Sequence, residues 1–337
     1  MPKDEQKGGL NVLWLNIYGE DLEILKNLET EGFYVYGTKL SLDNREIINL
    51  EWKDAIDVIV FSSVNTTIDK YIIDNFKRLQ LIVTRSTGCE HINLEYCNNK
   101  GIKVCSIRGY STISTAEYTI SLIFSLLRKL KSTILKVQKG RFERETGADL
   151  HGKIVGVVGT GLVGTTVAKL LKCLGAKVFY WSFRRKEELE GLGIRYVDLE
   201  ELYRSADVLT FHLSLSEKTR YIFNRGSLRI VKPGVYIVNT ARGGLIELEA
   251  IYEGLRNGII AGCALDCFEG ESYFIRGKSS DSPSKIQIIN DIAKFPNVII
   301  TPHNAYNSEE SIKRDVEYTL RTLLHYRKTG ECLYPCQ

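Results

Sequence analysis

Three residues in the last third of the chain, Arg242, Glu271 and His303, are of the types needed to hold an anion and move a proton. A guanidinium is a planar fork that pairs a carboxylate bidentately and polarises a carbonyl beside it. Imidazole alone titrates near neutrality unperturbed, so it can hand a proton to a developing alkoxide. A carboxylate next to it fixes its orientation and favours the imidazolium. Together the set suits reduction of a 2-keto acid, given a hydride source beside the carbonyl carbon. Singly, each has an ordinary alternative: an arginine between alanine and glycine can cap a helix, Glu271 can be an exposed loop acid, and His303 can stabilise the turn after Pro302. His91, His151 and His325 have no partner pattern, and His212 follows a strand as a structural residue or a neighbour of a cofactor.

The hydride source is implied by Gly159-Thr160-Gly161-Leu162-Val163-Gly164, which directly follows the apolar run Ile154-Val155-Gly156-Val157-Val158 and opens a helical stretch to Leu174. Glycines there allow a tight turn, close backbone approach to a pyrophosphate and close helix packing, while the helix N-terminus offers amide donors. In that context the run predicts dinucleotide binding; alone it would predict little. The next strand, Ala176 to Trp181, should end in an acid that accepts the ribose hydroxyls of NAD. It ends at Ser182, followed by Phe183, Arg184, Arg185 and Lys186. A hydroxyl and two guanidinium forks suit a 2′-phosphate, so NADP is expected in preference to NAD. The alternative is a basic, solvated helix start.

Short β-rich runs alternate with amphipathic helical stretches throughout, which predicts an α/β protein with parallel sheets wrapped by helices. The first series of strands is expected at Asn11 to Ile17, Phe33 to Tyr36, Asp57 to Phe61, Leu81 to Thr84 and Ile102 to Ser106, with a helix at Ile68 to Leu79. A connecting helix follows from Thr112 to about Gln138, with Ser111 as its cap. The second series is expected at Lys153 to Val158, Lys177 to Trp181, Asp207 to Leu213, Val235 to Asn239, Ala261 to Asp266 and Asn297 to Thr301. Between Glu269 and Lys294 lies a polar insertion, serine-rich at Ser279 to Ser284, of a length that is functional or mobile in a compact domain. A helix from Ser308 to Lys328 closes the chain.

At 337 residues the chain exceeds what one core usually organises, so two domains are expected. No apolar run approaches the roughly 20 residues of a membrane span; Tyr118 to Leu127 is interrupted by Thr119, Ser121 and Ser125. Met1 to Gly9 has no apolar signal region, so a cytoplasmic location is expected, with the eight cysteines reduced. Cys263/Cys267 and Cys332/Cys336 lack a neighbouring histidine pair, so no metal site is expected. The net charge of +4 is spread among acids, the pattern of a solvated surface and not of a nucleic-acid face.

Three ordered runs at strand ends, Asn239-Thr240-Ala241-Arg242-Gly243-Gly244, Ala264-Leu265-Asp266-Cys267-Phe268-Glu269-Gly270-Glu271 and Thr301-Pro302-His303-Asn304-Ala305, resemble the signatures of the D-isomer-specific 2-hydroxyacid dehydrogenases. Arg85-Ser86-Thr87-Gly88 and Ala116-Glu117 extend the likeness over nearly the whole chain. Within the family it is greatest to the D-lactate dehydrogenases, through Tyr110-Ser111, the Asp-Cys-Phe-Glu-Gly-Glu run and the insertion; Tyr110 equally reads as a packed aromatic. The resemblance implies a Rossmann-type cofactor domain at 108–305 and a smaller flavodoxin-like substrate domain at 1–107 plus 306–337, with the active site in the cleft. It implies catalysis by Arg242, Glu271 and His303, and a substrate held by Thr87, Gly88, Tyr110 and Arg242. Cofactor contacts are implied at Gly159, Gly161, Leu162, Val163, Gly164, Leu213, Ser214, Thr240, Ala241 and Asp266, beside Ser182, Arg184 and Arg185. It also implies a homodimer joined through the Thr112 to Gln138 helix. Asn93 departs from the family's usual aspartate. Other readings are a glyoxylate or hydroxypyruvate reductase, and a dinucleotide-sensing protein like the corepressors that share the fold.

Overall fold

Runs such as Val58-Ile59-Val60-Phe61 and Ile154-Val155-Gly156-Val157-Val158 have no polar face, as strands covered by helices on both sides require. The structure, a computed structural model, describes residues 9–17, 28, 31–38, 45–62, 68–89, 91–276 and 283–336. The charged residues 1–8 and the serine-rich residues 279–282 lie outside these. The chain divides into two units, Met1–Ser111 with Ser308–Gln337 and Thr112–Asn307; the sequence reading put the divisions at 107/108 and 305/306. Among the described residues no helix is long and apolar enough to cross a membrane.

In the first unit, β1 (Leu10–Trp14), β2 (Phe33–Gly37), β3 (Val58–Phe61), β4 (Leu81–Thr84) and β5 (Lys103–Ser106) form a parallel sheet ordered β2-β1-β3-β4-β5. Side chains alternate between its two faces, as the pleat dictates. Leu13, Ile59, Ile82 and Val104 enter one core; Val12, Val58, Leu81 and Cys105 enter the other. The C-terminal helix Glu309–Thr329 packs Val316, Leu323 and Tyr326 into that second core. The helix expected over Ile68 to Leu79 is shorter, Lys70–Asp74, capped by Asp69 and ended at Asn75. Asn93 caps Leu94–Asn99 by accepting from the Tyr96 amide at 3.0 Å, which an amide oxygen does as well as a carboxylate.

Four of the cysteines are not reduced: Cys89 is bonded to Cys336 and Cys105 to Cys332, with Cα separations of 6.2 and 5.4 Å. The tail returns along β5, where Ser106 N donates to Tyr334 O and Cys336 N to Val104 O, both at 2.9 Å, and this brings the pairs together. Partners 247 and 227 residues apart leave no local spacing to read.

In the second unit, β6 (Ile154–Val158), β7 (Lys177–Trp181), β8 (Arg195–Tyr196), β9 (Val208–Phe211), β10 (Val235–Asn239), β11 (Ile260–Leu265) and β12 (Val298–Ile300) form a parallel sheet ordered β12-β11-β10-β9-β6-β7-β8. β8, two residues long, is too short to show a pattern. The order reverses at β6, and a doubly wound sheet opens a ligand crevice beyond its strand ends at such a point. The expected single connecting helix is two, Thr112–Leu127 and Leu130–Gln138, because Lys129 adopts a left-handed conformation (φ 52°) and interrupts the ladder. The insertion is not a plain loop: it carries helices Glu271–Arg276 and Pro283–Ala293, the second anchored by buried Ile289 and Ile292.

One buried ion pair ties β4 to the C-terminal helix. Arg85, 1% exposed in its side chain, meets Asp315 through Nε–Oδ1 and Nη2–Oδ2, both at 3.1 Å, and lies over the Trp14 ring. Removing one partner of such a pair leaves the other's charge poorly compensated away from solvent. D315A is therefore expected to cost about 3–5 kcal/mol of stability in urea denaturation. A loss below about 1 kcal/mol, typical of an exposed pair, would refute it.

Candidate active site

The strand register of the second unit aligns Asn239 with Leu265 and Leu265 with Ile300, so β10, β11 and β12 end side by side. The segments leaving those three ends carry Arg242, Glu271 and His303. A buried acid organises them. Asp266, fully buried, accepts from Thr301 Oγ1 (2.6 Å) and the Asn304 amide (2.8 Å) on one oxygen and from the Ala305 amide (2.9 Å) on the other. Its carbonyl accepts from the His303 amide at 3.0 Å. This holds His303 at φ 54°, a conformation that L-residues adopt only when the surroundings impose it. Asp266, also expected among the cofactor contacts, is buried and shapes the histidine turn.

Asn239 does the same for the arginine. Its amide nitrogen donates to Arg242 O (2.9 Å) and Cys267 O (3.0 Å), joining the exits of β10 and β11, and its oxygen accepts from the Ala241 amide. His303 Nδ1 lies 3.1 Å from Glu271 Oε1, with side chains 33% and 27% exposed. Burial alone would push the imidazole down. The hydrogen bond and charge of Glu271 outweigh that and hold it above its ordinary value, while the nearby charge of Arg242 works the other way. His212 goes in the opposite direction: burial pushes its ring down to about 3, and it pairs with Thr210 Oγ1 at 2.9 Å.

A cluster that no local pattern announced braces the carboxylate. Glu269 accepts from Arg220 (2.9 Å), Tyr221 Oη (2.7 Å) and Lys285 (3.0 Å), and Lys285 also pairs with Glu249 (2.8 Å). Burial opposes the charge on Lys285, but its two carboxylate partners hold it well above its ordinary value. The insertion helix is thereby clamped to a residue two positions before Glu271.

After β6 the glycine turn has the shape a pyrophosphate needs. Gly159 sits at φ 96°, where a Cβ would lie 2.7 Å from Leu213 Cδ2; a Cβ on Gly164 would collide with the Gly159 carbonyl. Around Gly161 there is open space, and no side chain caps the helix Leu162–Cys173 that it begins. The first amides of that helix are left for an anion. Thr160 Oγ1 is buried without a partner among the described residues. These features fit a dinucleotide. Leu162 and Ser214 are exposed and Val163 and Leu213 partly buried, whereas Thr240 is buried with its hydroxyl on Thr119 Oγ1 at 2.8 Å.

Beyond β7, Ser182 is partly buried and Arg184 exposed, but Arg185 lies over the Tyr196 ring at 4.5 Å. Lys186, absent from the sequence-based set, places its ammonium 2.9 Å from Thr165 Oγ1 in the first turn after the glycines. In the first unit, Thr87 is exposed in the loop after β4, where Thr84 Oγ1, Ser86 Oγ and Gly88 O form a chain of hydrogen bonds. Tyr110 is buried, and its carbonyl accepts from Arg314.

Residues 120–305 match the family described as D-isomer specific 2-hydroxyacid dehydrogenase, NAD binding domain. The chain is 31% identical over 331 residues to a D-specific alpha-keto acid dehydrogenase of Enterococcus faecium, covering 96% of this chain and 99% of that protein. It is 32% identical over 274 residues to an aromatic 2-oxoacid reductase of Clostridium sporogenes, covering 80% and 82%. Among solved structures it resembles D-lactate dehydrogenase from Aquifex aeolicus complexed with NAD and lactic acid, with TM-score 0.81, 30% identity and 96% and 99% coverage.

Replacing Glu271 by Gln removes the charge that offsets burial, so the His303 titration should move to lower pH. The imidazolium would then be lost earlier as pH rises. NMR of the ring protons measures this, and an unmoved titration would break the pairing.

Proposed function

This chain belongs to the D-isomer-specific 2-hydroxyacid dehydrogenases, nicotinamide-dependent enzymes that interconvert 2-keto acids and D-2-hydroxy acids, and we propose that it reduces a small, pyruvate-like keto acid with NADPH preferred. The observation that carries the reading is the His303 Nδ1–Glu271 Oε1 pair at 3.1 Å, set beside Arg242 at adjacent strand ends. The residues of the glycine turn would hold the dinucleotide, with the pyrophosphate on the amides after Gly161. The bound nicotinamide supplies the hydride. Arg242 holds the carboxylate and carbonyl oxygen of the substrate and stabilises the charge that develops there. His303, an imidazolium by virtue of Glu271, gives its Nε2 proton to the nascent alkoxide, and Glu271 then faces the neutral ring.

Support for a small substrate comes from the likeness to a D-lactate dehydrogenase; the C. sporogenes relative makes an aromatic keto acid the natural competitor. A panel of pyruvate, glyoxylate, hydroxypyruvate and phenylpyruvate ranks them, and no turnover on any would return the protein to a sensing role. H303A should lower kcat by about 10²–10⁴-fold with little change in dinucleotide affinity, because the histidine acts on the carbonyl. Near-normal turnover by this variant would sink the assignment.

The NADPH preference rests on Ser182, which leaves no acid to repel a 2′-phosphate, and on Arg184. With Arg185 stacked on Tyr196, Arg184 is the phosphate partner, worth about 1.5–3 kcal/mol, or roughly tenfold to a hundredfold in affinity. R184A should weaken NADPH use by that factor and leave NADH use nearly unchanged. A kcat/KM ratio that favours NADH in the unaltered enzyme overturns the preference.

We also propose a homodimer. Leu130, Ile134 and Val137 expose one apolar face of the helix Leu130–Gln138, and Phe142 just beyond it is 84% exposed. Light scattering should give twice the chain mass for the protein and a single chain mass for I134E/V137E; a monomeric native protein at micromolar concentration refutes it.

A further inference from the structure

A third metal-ligating side chain lies against the proposed acid and its carboxylate. Cys267 Sγ, a Glu271 carboxylate oxygen and a His303 ring nitrogen all lie within 4.8 Å of one another. The cysteine is fully buried while the other two are partly open, so the cluster has a closed floor and an accessible side. Its thiol takes no part in the proton transfer described above. The backbone that presents it is fixed from two directions, by Asn239 on the Cys267 carbonyl and by Asp266 on the His303 turn.

We propose that Cys267, Glu271 and His303 bind one thiophilic divalent cation, zinc fitting best, and that its binding switches the enzyme off. The donors are one sulfur, one nitrogen and one oxygen, a set that zinc takes in tetrahedral sites with a fourth position left for water. Bond lengths of about 2.0–2.3 Å put ligand atoms of such a site roughly 3.3–3.8 Å apart; the Nδ1–Oε1 pair at 3.1 Å is already that close, and the sulfur, within 4.8 Å of both, has at most about 1 Å to close by side-chain rotation. Magnesium and calcium want six or more oxygens and are poorly served. As the dication enters, the thiol proton and the Nδ1 proton leave, so a Glu271 carboxylate facing an imidazolium becomes a carboxylate and a thiolate facing a 2+ ion. Net charge in the half-buried cluster is unchanged, and no bare charge is buried.

Inhibition follows from which nitrogen is taken. Nδ1 is the atom that faces Glu271, and a metal there leaves Nε2–H on a neutral ring. Such a ring is a far weaker acid than the imidazolium and a poor general acid for the developing alkoxide at neutral pH, while the glycine turn is untouched and dinucleotide binding survives. The shut-off rests on the proposed role of His303; the site itself does not.

Cobalt(II) titration of the metal-free protein separates the two. About one cobalt per chain should bind with a near-ultraviolet thiolate-to-metal charge-transfer band, and zinc should displace it. C267V and C267S should lose the band, with folding checked by circular dichroism, and C173S, which removes the exposed thiol, should keep it. Zinc should inhibit keto-acid reduction in the unaltered enzyme, each protein being read against its own metal-free rate. The concentration required should rise more than about tenfold in both Cys267 variants, since even outer partners of a metal site are worth that much. Binding without the band, or a band that survives in C267S, overturns the site. A band with full activity overturns the shut-off alone. If no keto acid is turned over at all, the spectrum still decides the site.

Discussion

With no water to satisfy it, the carboxylate of Asp266 must be met by protein donors, and the donors it finds fold the turn that aims His303. A hydroxyl and two amides from residues 301–305 converge on its two oxygens, and the amide of His303 bonds its carbonyl. A buried carboxylate that lost these partners would incur several kcal/mol, so the turn is as stable as the core around it. The strained backbone of His303 is maintained by that necessity.

The sheet supplies the rest of the geometry. Because β10, β11 and β12 are parallel and in register, their exits cannot be far apart, and short segments suffice to bring a cation, an acid and a base together. On the other side of β9, the exit of β6 presents helix amides instead of side chains. One edge of a single sheet thus offers proton chemistry at one end and an anion seat at the other. The electrostatics agree: Glu271 raises His303, whereas His212, lacking an acid, is driven neutral by burial.

Features with a local cause were legible in the sequence. Strands buried on both faces appear as apolar runs, and their ends were placed to within a few residues because the runs stop where polar side chains begin. The glycine turn was legible for the same reason, since a Cβ at Gly164 would meet the Gly159 carbonyl and Gly159 itself takes a left-handed φ. What escaped was made by distant partners. Nothing near Glu269 announces Arg220 or Lys285, and nothing near Cys89 announces Cys336. Lys129 breaks a helix that its neighbours would continue, and residue type gives no sign of a left-handed lysine. The sequence marked Asp266 as a site residue but gave no sign that it also folds the histidine turn, because a sequence pattern records that an acid is required and not which groups it meets.

The pairing of Cys89 with Cys336 also changes what kind of object the chain is. It closes a covalent ring that runs from the loop after β4, through the whole of the second unit, and back along the C-terminal helix, the joined positions being 247 residues apart in sequence. The first unit is assembled from two stretches of chain separated by an inserted unit, and the bond holds those stretches together without relying on it. In the chain-entropy account, closing a loop that long removes on the order of 5 kcal/mol of freedom from the unfolded chain. A protease that severed one peptide bond inside the second unit would release no fragment: both new ends would stay on one molecule, and the damage would be invisible to a mass measurement made without reducing agent, apart from one added water.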